Sequence, residues 1–256
     1  MDSRAIGIFD SGLGGLSIWR AVRDRLPGES IIYLGDGLNC PYGERSQQEI
    51  IELSIKATNE LIVQGCKLIV VACNTATIAS IATLREMFPT TLFVGVEPAV
   101  KPACFATKSG KIGVLATEWS ISKRHYMERV ASYRADVEVV NAVGRGFVEL
   151  VEEQMESTPI AIQVVRPIVE ELISKGVDQI VLGCTHYPFL QDSISEIVGD
   201  KDIAIINPAP SVACQVERLL SDNSLLNNEL QEPIYKFITF SNDDYAQMLE
   251  HMACSL

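Results

Sequence analysis

The chain is 256 residues long, with 47% hydrophobic and 21% charged residues, enough apolar material for one full core or two smaller ones. Its 21 Lys and Arg against 33 Asp and Glu leave a formal charge of −12, the wrong sign for a surface that must neutralise many phosphates, which argues against nucleic acid as a partner. The start, MDSRAIGIFDSG, lacks a basic stretch followed by a long apolar run, and no later apolar run approaches the roughly 20 residues of a membrane span. A soluble, cytoplasmic protein with no membrane partner is expected. The seven cysteines include no CxxC pair, which argues against a disulfide framework and a zinc ribbon and leaves most thiols free.

In chain order, Ile- and Val-rich runs predict strands at 6–9, 31–34, 68–72, 92–96, 112–116, 137–141, 179–183, 203–206 and 235–240, with helical stretches between them. Ser46 and Glu49 form a capping-box pattern, after which Ile50, Leu53, Ala57 and Leu61 repeat at helical spacing until Gly65. A further helix opens at Thr158 and Pro159 and closes at Gly176, and Pro167 inside it predicts a kink or a split.

An internal repeat organises these elements. GCKLIVVACNTA (65–76) aligns with GVDQIVLGCTHY (176–187), each with a Gly eight residues before a Cys that ends an apolar strand. IGIFDSG (6–12) aligns with IGVLATE (112–118), and VEPAVKPAC (96–104) with INPAPSVAC (206–214). Offsets of about 110 residues throughout describe two halves of one βα design. The fold class expected is α/β, with two pseudo-symmetric, doubly wound, mainly parallel sheet domains and the active site in the cleft between them. The first domain comprises 1–97 plus 208–256 and carries Cys73; the second spans 98–207 and carries Cys184. Eight βα strands would also suit a TIM barrel, but the ninth strand has no natural place there. Both architectures collect the active site at strand C-termini.

Those strand ends present Asp10 and Ser11, Asp36 with CPYG (40–43), Cys73, Asn74 and Thr75, Thr117, and Cys184, Thr185 and His186. Two cysteines at equivalent places, with Asp10 available to Cys73 and His186 to Cys184, suit a symmetric reaction. A proton is taken from one face of a carbon and another is returned to the opposite face, which needs two acid/base groups. A thiol titrates near 8.5 and is lowered by helix N-termini or cations. Helix starts with hydroxyl and amide side chains would cradle a small anionic substrate. Each residue also has a plainer alternative reading: a buried Cys would pack as a small hydrophobe, and Asp10 and Asp36 could simply be caps. Cys40, Cys66, Cys104, Cys214 and Cys254 read as packing or surface thiols. The glycine-rich DSGLGGLS (10–17), with Asp36 further on, imitates a dinucleotide fingerprint, but Ser17 stands where its third Gly belongs.

These motifs resemble those of the cofactor-independent glutamate racemases. The resemblance runs in order through FDSGLGG (9–15), CPYG (40–43), ACNTA (72–76), GVEPA (95–99), IGVLAT (112–117), LVE (150–152) and LGCTHYP (182–188). It implies interconversion of L- and D-glutamate to supply peptidoglycan in a bacterial cytoplasm, with no pyridoxal phosphate and no metal, by a homodimer. By resemblance Cys73 and Cys184 are the acid/base thiols, assisted by Asp10 and His186. Asp10, Ser11, Tyr42, Gly43, Asn74, Thr75, Thr185 and His186 line the substrate site, and Glu152 is an auxiliary acid. The family commonly reads GDxARxPYG, whereas Leu38 and Asn39 stand here in place of Ala and Arg, and Trp119 and Ser120 replace a GT pair. These departures motivate a second expectation, racemisation of a related substrate such as aspartate.

Overall fold

The computed structural model describes residues 2–97, 99–123, 133–134, 136–227 and 232–255. In chain order, β1 (Ile6–Asp10), α1 (Leu16–Arg25), β2 (Ile31–Gly35), α2 (Gln47–Val63), β3 (Leu68–Val71), α3 (Asn74–Met87) and β4 (Leu92–Gly95) come first. They are followed by α4 (Val100–Ala106), β5 (Lys111–Ala116), α5 (Glu118–Ser122), β6 (Glu138–Val143), α6 (Phe147–Glu152), α7 (Pro159–Ser174), β7 (Gln179–Leu182), α8 (Gln191–Val198) and β8 (Ala204–Ile206). The chain then runs through α9 (Ala209–Asp222), β9 (Tyr235–Thr239) and α10 (Asp243–Ser255).

These elements form two compact units, Met1–Val96 with Ala209–Leu256, and Glu97–Pro208. The first contains a sheet of order β4-β3-β1-β2-β9, the second a sheet of order β6-β5-β7-β8. Every strand pair is parallel. Substituting β5 for β1, β6 for β2, β7 for β3 and β8 for β4 converts the first four-strand order into the second, so the sequence repeat is also a repeat of topology. The α/β expectation holds, and two open sheets replace the barrel alternative.

The central strands β1, β3 and β7 are buried at every position, which is why they read as unbroken apolar runs rather than as alternating ones. β9 lies parallel to β2, with Ile31 opposite Tyr235 and Gly35 opposite Thr239. A buried ion pair reinforces this side of the unit. Lys67 Nζ lies 2.6 Å from Glu29 Oε2 and donates to the carbonyls of Asp2 and Leu225 at 2.6 and 2.8 Å, while Glu29 Oε1 accepts from Asn227 N at 2.8 Å.

Helix boundaries follow local chemistry. The Ser46–Glu49 capping box is formed, and Gly65 and Gly176 take positive φ just after α2 and α7, a conformation that costs a glycine little. Two local expectations change. β6 extends to Val143 because its register against β5 continues to Ala116. Pro167 does not split α7, which runs from Pro159 to Ser174. Ala161, Val165, Val169 and Leu172 form its buried stripe, whereas Pro167 and Gln163, whose carbonyl loses its helical donor, are exposed. Water can replace the missing bond while packing holds the rest.

Candidate active site

In the first unit, neighbouring strands deliver the polar residues. Phe9 lies opposite Val71 across β1 and β3, so Asp10 and Cys73 leave adjacent strand ends. Asp10 is fully buried and accepts from Gly12 N through Oδ2 at 3.1 Å. Ser11 is buried beside it. Gly15 is required here: a Cβ would come within 2.5 Å of Asp10 Cβ and 2.7 Å of Tyr33 Oη. Tyr33 Oη in turn donates to Gly12 O at 2.6 Å. The glycine-rich segment thus packs tightly around Asp10, and the carboxylate of Asp36, the other element of the dinucleotide comparison, is already engaged by Asn39 and Tyr42.

Cys73 is the N-cap of α3, and its Sγ accepts from Ala76 N at 3.4 Å. That position gives a thiolate the benefit of the helix's unpaired N–H groups. Thr77 anchors the first turn, donating to Val71 O at 2.9 Å and accepting from Val96 N at 3.1 Å; no motif pointed to it. Asn74 and Thr75 are buried in the same turn. The Asn74 amide donates through Nδ2 to Val96 O at 3.2 Å. Because a carbonyl only accepts, this bond fixes the amide orientation, and Asn74 Oδ1 is left buried without a hydrogen-bond partner among the described residues.

Tyr42 opens the 3-10 turn Tyr42–Glu44, which includes Gly43 and packs against α3. Burial, then the negative charge of Asp36, pushes the Tyr42 phenol far above its usual range, and Cys73 and Asp10 act in the same direction. The phenol therefore stays protonated. Of the departures in this segment, Leu38 is 61% exposed, whereas Asn39 donates its amide to both Asp36 oxygens at 2.9 and 3.0 Å.

In the second unit, Cys184, Thr185 and His186 follow β7 and are all buried. Cys184 Sγ lies 3.7 Å from His186 Nδ1, and His186 Nε2 lies 2.6 Å from Glu152 Oε1 at the end of α6. A carboxylate accepts, so Nε2 carries a hydrogen, and in the neutral ring the Nδ1 lone pair faces the thiol. This is the arrangement of a nucleophile or base whose partner is oriented by a third group. The two halves differ here, whereas the expected cradle for a small anion drew on helix starts in both. A turn and the 3-10 segment Tyr187–Leu190 follow Cys184, and α8 begins only at Gln191. His186 is the side chain in contact with the Cys184 thiol, while the Cys73 thiol sits at a helix start.

Tyr187, unremarked in the sequence although it lies within GCTHYP, braces this loop. Its hydroxyl donates to Gly144 O at 3.4 Å, and its ring meets Phe147 edge to face at 5.1 Å. A Cβ on Gly144 would approach Tyr187 Oη to 2.5 Å. At the end of β5, Thr117 caps α5, its Oγ1 accepting from Ser120 N at 3.2 Å. Trp119 on α5 is half-buried, with Lys123 Nζ 4.2 Å from its ring centroid.

Comparison with known proteins places this geometry in a family. Residues 16–216 match the family model described as Asp/Glu/Hydantoin racemase. The chain is 44% identical over 239 residues to the glutamate racemase of Herpetosiphon aurantiacus, covering 93% of each protein. It is similar to the crystal structure of the glutamate racemase isoform RacE1 of Bacillus anthracis, with a TM-score of 0.90 and 31% identity, covering 100% of this chain and 96% of that one. The glutamate racemase of Francisella tularensis, solved in complex with D-glutamate, gives a TM-score of 0.87 at 29% identity, covering 100% and 95%. The chain belongs to the Asp/Glu/Hydantoin racemase family of isomerases.

Proposed function

We propose that the protein interconverts L- and D-glutamate, with Cys73 and Cys184 acting on opposite faces of the substrate's α-carbon. One thiolate takes the α-hydrogen as a proton and becomes a thiol. The electron pair of the broken C–H bond remains on carbon, delocalised into the α-carboxylate. The other thiol gives its proton to the opposite face and is left as a thiolate, so configuration inverts and the two cysteines exchange protonation states. The reverse direction uses the same groups in exchanged roles.

The observation that carries this reading is that equivalent strand ends present buried cysteines, each with support for its charge or its proton. Cys73 caps α3, and Cys184 faces the His186–Glu152 pair. Asp10 assists on the Cys73 side and His186 on the Cys184 side. Ser11, Tyr42, Gly43, Asn74, Thr75 and Thr185 bind substrate. The orphaned Asn74 Oδ1 suits an ammonium donor, since an unmet buried acceptor gains most from a charged partner. The D-glutamate complex of the Francisella relative supports glutamate as the substrate. The reaction proceeds with the chain's own thiols rather than pyridoxal phosphate or a metal. We place it in the cytoplasm, as a homodimer supplying D-glutamate for peptidoglycan; no helix among the described residues is long and apolar enough to cross a membrane.

The test is circular dichroism of purified protein given L-glutamate and, separately, D-glutamate, with no added cofactor. Both signals converging to zero supports the reading. Cys73→Ser and Cys184→Ser should each abolish convergence, because a serine hydroxyl is a far weaker acid than a thiol. Racemisation surviving in both variants refutes the two-thiol mechanism, and a higher kcat/KM for aspartate than for glutamate refutes the substrate.

A further inference from the structure

We infer that Asp36 is a positioning residue, whose buried carboxylate holds the Tyr42 phenol in place at the Cys73 side of the site, with Asn39 completing the brace. This rests on the proposed glutamate reaction and concerns how one of its binding residues is kept in position.

Asp36 is fully buried just beyond β2, and its backbone N–H donates to Asp10 O at 3.0 Å, which locks it to the end of β1. Its carboxylate accepts from Tyr42 Oη at 2.7 Å and from Asn39 Nδ2 at 2.9 and 3.0 Å. Asn39 N closes a turn on Asp36 O at 3.1 Å. Arg45 spans the far side, donating through Nε to Asn39 O at 2.7 Å and through its backbone to Tyr42 O at 3.1 Å. A carboxylate that merely shaped the turn would need only the local Asn39 bonds. The Tyr42 bond reaches six residues on and ties the strand end to the 3-10 turn that packs on α3, the helix Cys73 caps.

The chemistry favours a stiff brace. A buried carboxylate must be satisfied by donors, and hydrogen bonds to a charged acceptor are about twice as strong as neutral ones. Because the phenol hydrogen is committed to Asp36, Tyr42 offers a ligand its ring and oxygen lone pairs in one fixed orientation. The family's common Arg at position 39 is Asn here, and the shorter side chain still reaches both Asp36 oxygens. The brace thus accommodates the departure in the GDGLNCPYG segment.

The test compares the wild type with Asp36→Ala, Asp36→Asn, Tyr42→Phe and the Asp36→Ala/Tyr42→Phe double variant, using racemisation kinetics and thermal melting of the full chain. Asp36→Ala and Tyr42→Phe should each lower kcat/KM at least tenfold, mainly through KM, and the double variant should be no worse than the poorer single. Asp36→Asn, which keeps a carbonyl oxygen for the phenol, should recover most of the loss. Losses that multiply in the double variant, or an Asp36→Ala protein that melts lower yet keeps its kcat/KM, would overturn the brace. Tetranitromethane nitration mapped by mass spectrometry reads the same contact without activity: Tyr42 should be protected in the wild type and modified at least tenfold faster in Asp36→Ala. Equal nitration rates overturn the inference even if the wild type proves inert toward glutamate, an outcome that by itself removes the glutamate reading.

Discussion

His186 stands between Cys184 and Glu152, with Nδ1 3.7 Å from the thiol sulfur and Nε2 2.6 Å from the carboxylate. The carboxylate holds the ring with its basic nitrogen toward the thiol and stabilises the imidazolium that forms if the proton moves to His186. Glu152→Gln keeps an oxygen for the Nε2 hydrogen but removes the charge. A fall in kcat of about tenfold to a hundredfold is expected, ~1.4–2.8 kcal/mol of transition-state stabilisation. Single-turnover kinetics from each enantiomer should place that loss in the proton-transfer step.

Gly15→Ala tests how tightly Asp10 is held. The added methyl would stand 2.5 Å from Asp10 Cβ and 2.7 Å from Tyr33 Oη, so one of them must shift. Overpacking of this kind costs about 1–3 kcal/mol, and moving Asp10 should also lower kcat. Urea denaturation and steady-state kinetics on one preparation measure both effects.

The Lys67–Glu29 pair is buried on both sides. Lys67→Met leaves the Glu29 charge without its cation and frees the carbonyls of Asp2 and Leu225. Breaking a buried pair from one side costs about 3–5 kcal/mol. A lower urea midpoint should result, while replacement of both members by apolar residues of similar volume should recover much of the loss.

Asp178 organises the loop between α4 and β5. Burial would raise its pKa, but the Thr107 hydroxyl and the backbone N–H groups of Ser109 and Lys108 outweigh that and hold it below the ordinary carboxylate value. A lowered folded-state pKa means stability fully present above the unfolded value, about 3.9, and lost as pH falls through the folded value. Asp178→Asn should melt lower than the wild type at neutral pH, and the difference should shrink in acid. A pH series of thermal melts checks this.

The sequence by itself determined what depends on near neighbours. The βα alternation, the Ser46–Glu49 cap and the glycine stops after α2 and α7 are consequences of local hydrogen bonding and backbone preference. The Cys73 and Cys184 strand ends were legible because the repeat carries its own alignment. Tertiary structure decided the rest. That β9 joins β2, that Tyr42 is claimed by Asp36 and His186 by Glu152, and that Pro167 is tolerated within α7 all depend on which distant groups are buried together. Pro167 shows the reason most simply: a local penalty is set by one lost hydrogen bond, but a stripe of buried side chains outweighs it where the residue losing its donor lies on the exposed face. Pairings of buried polar groups follow the same rule, because desolvation makes each one find a partner and only the packed fold brings that partner within reach.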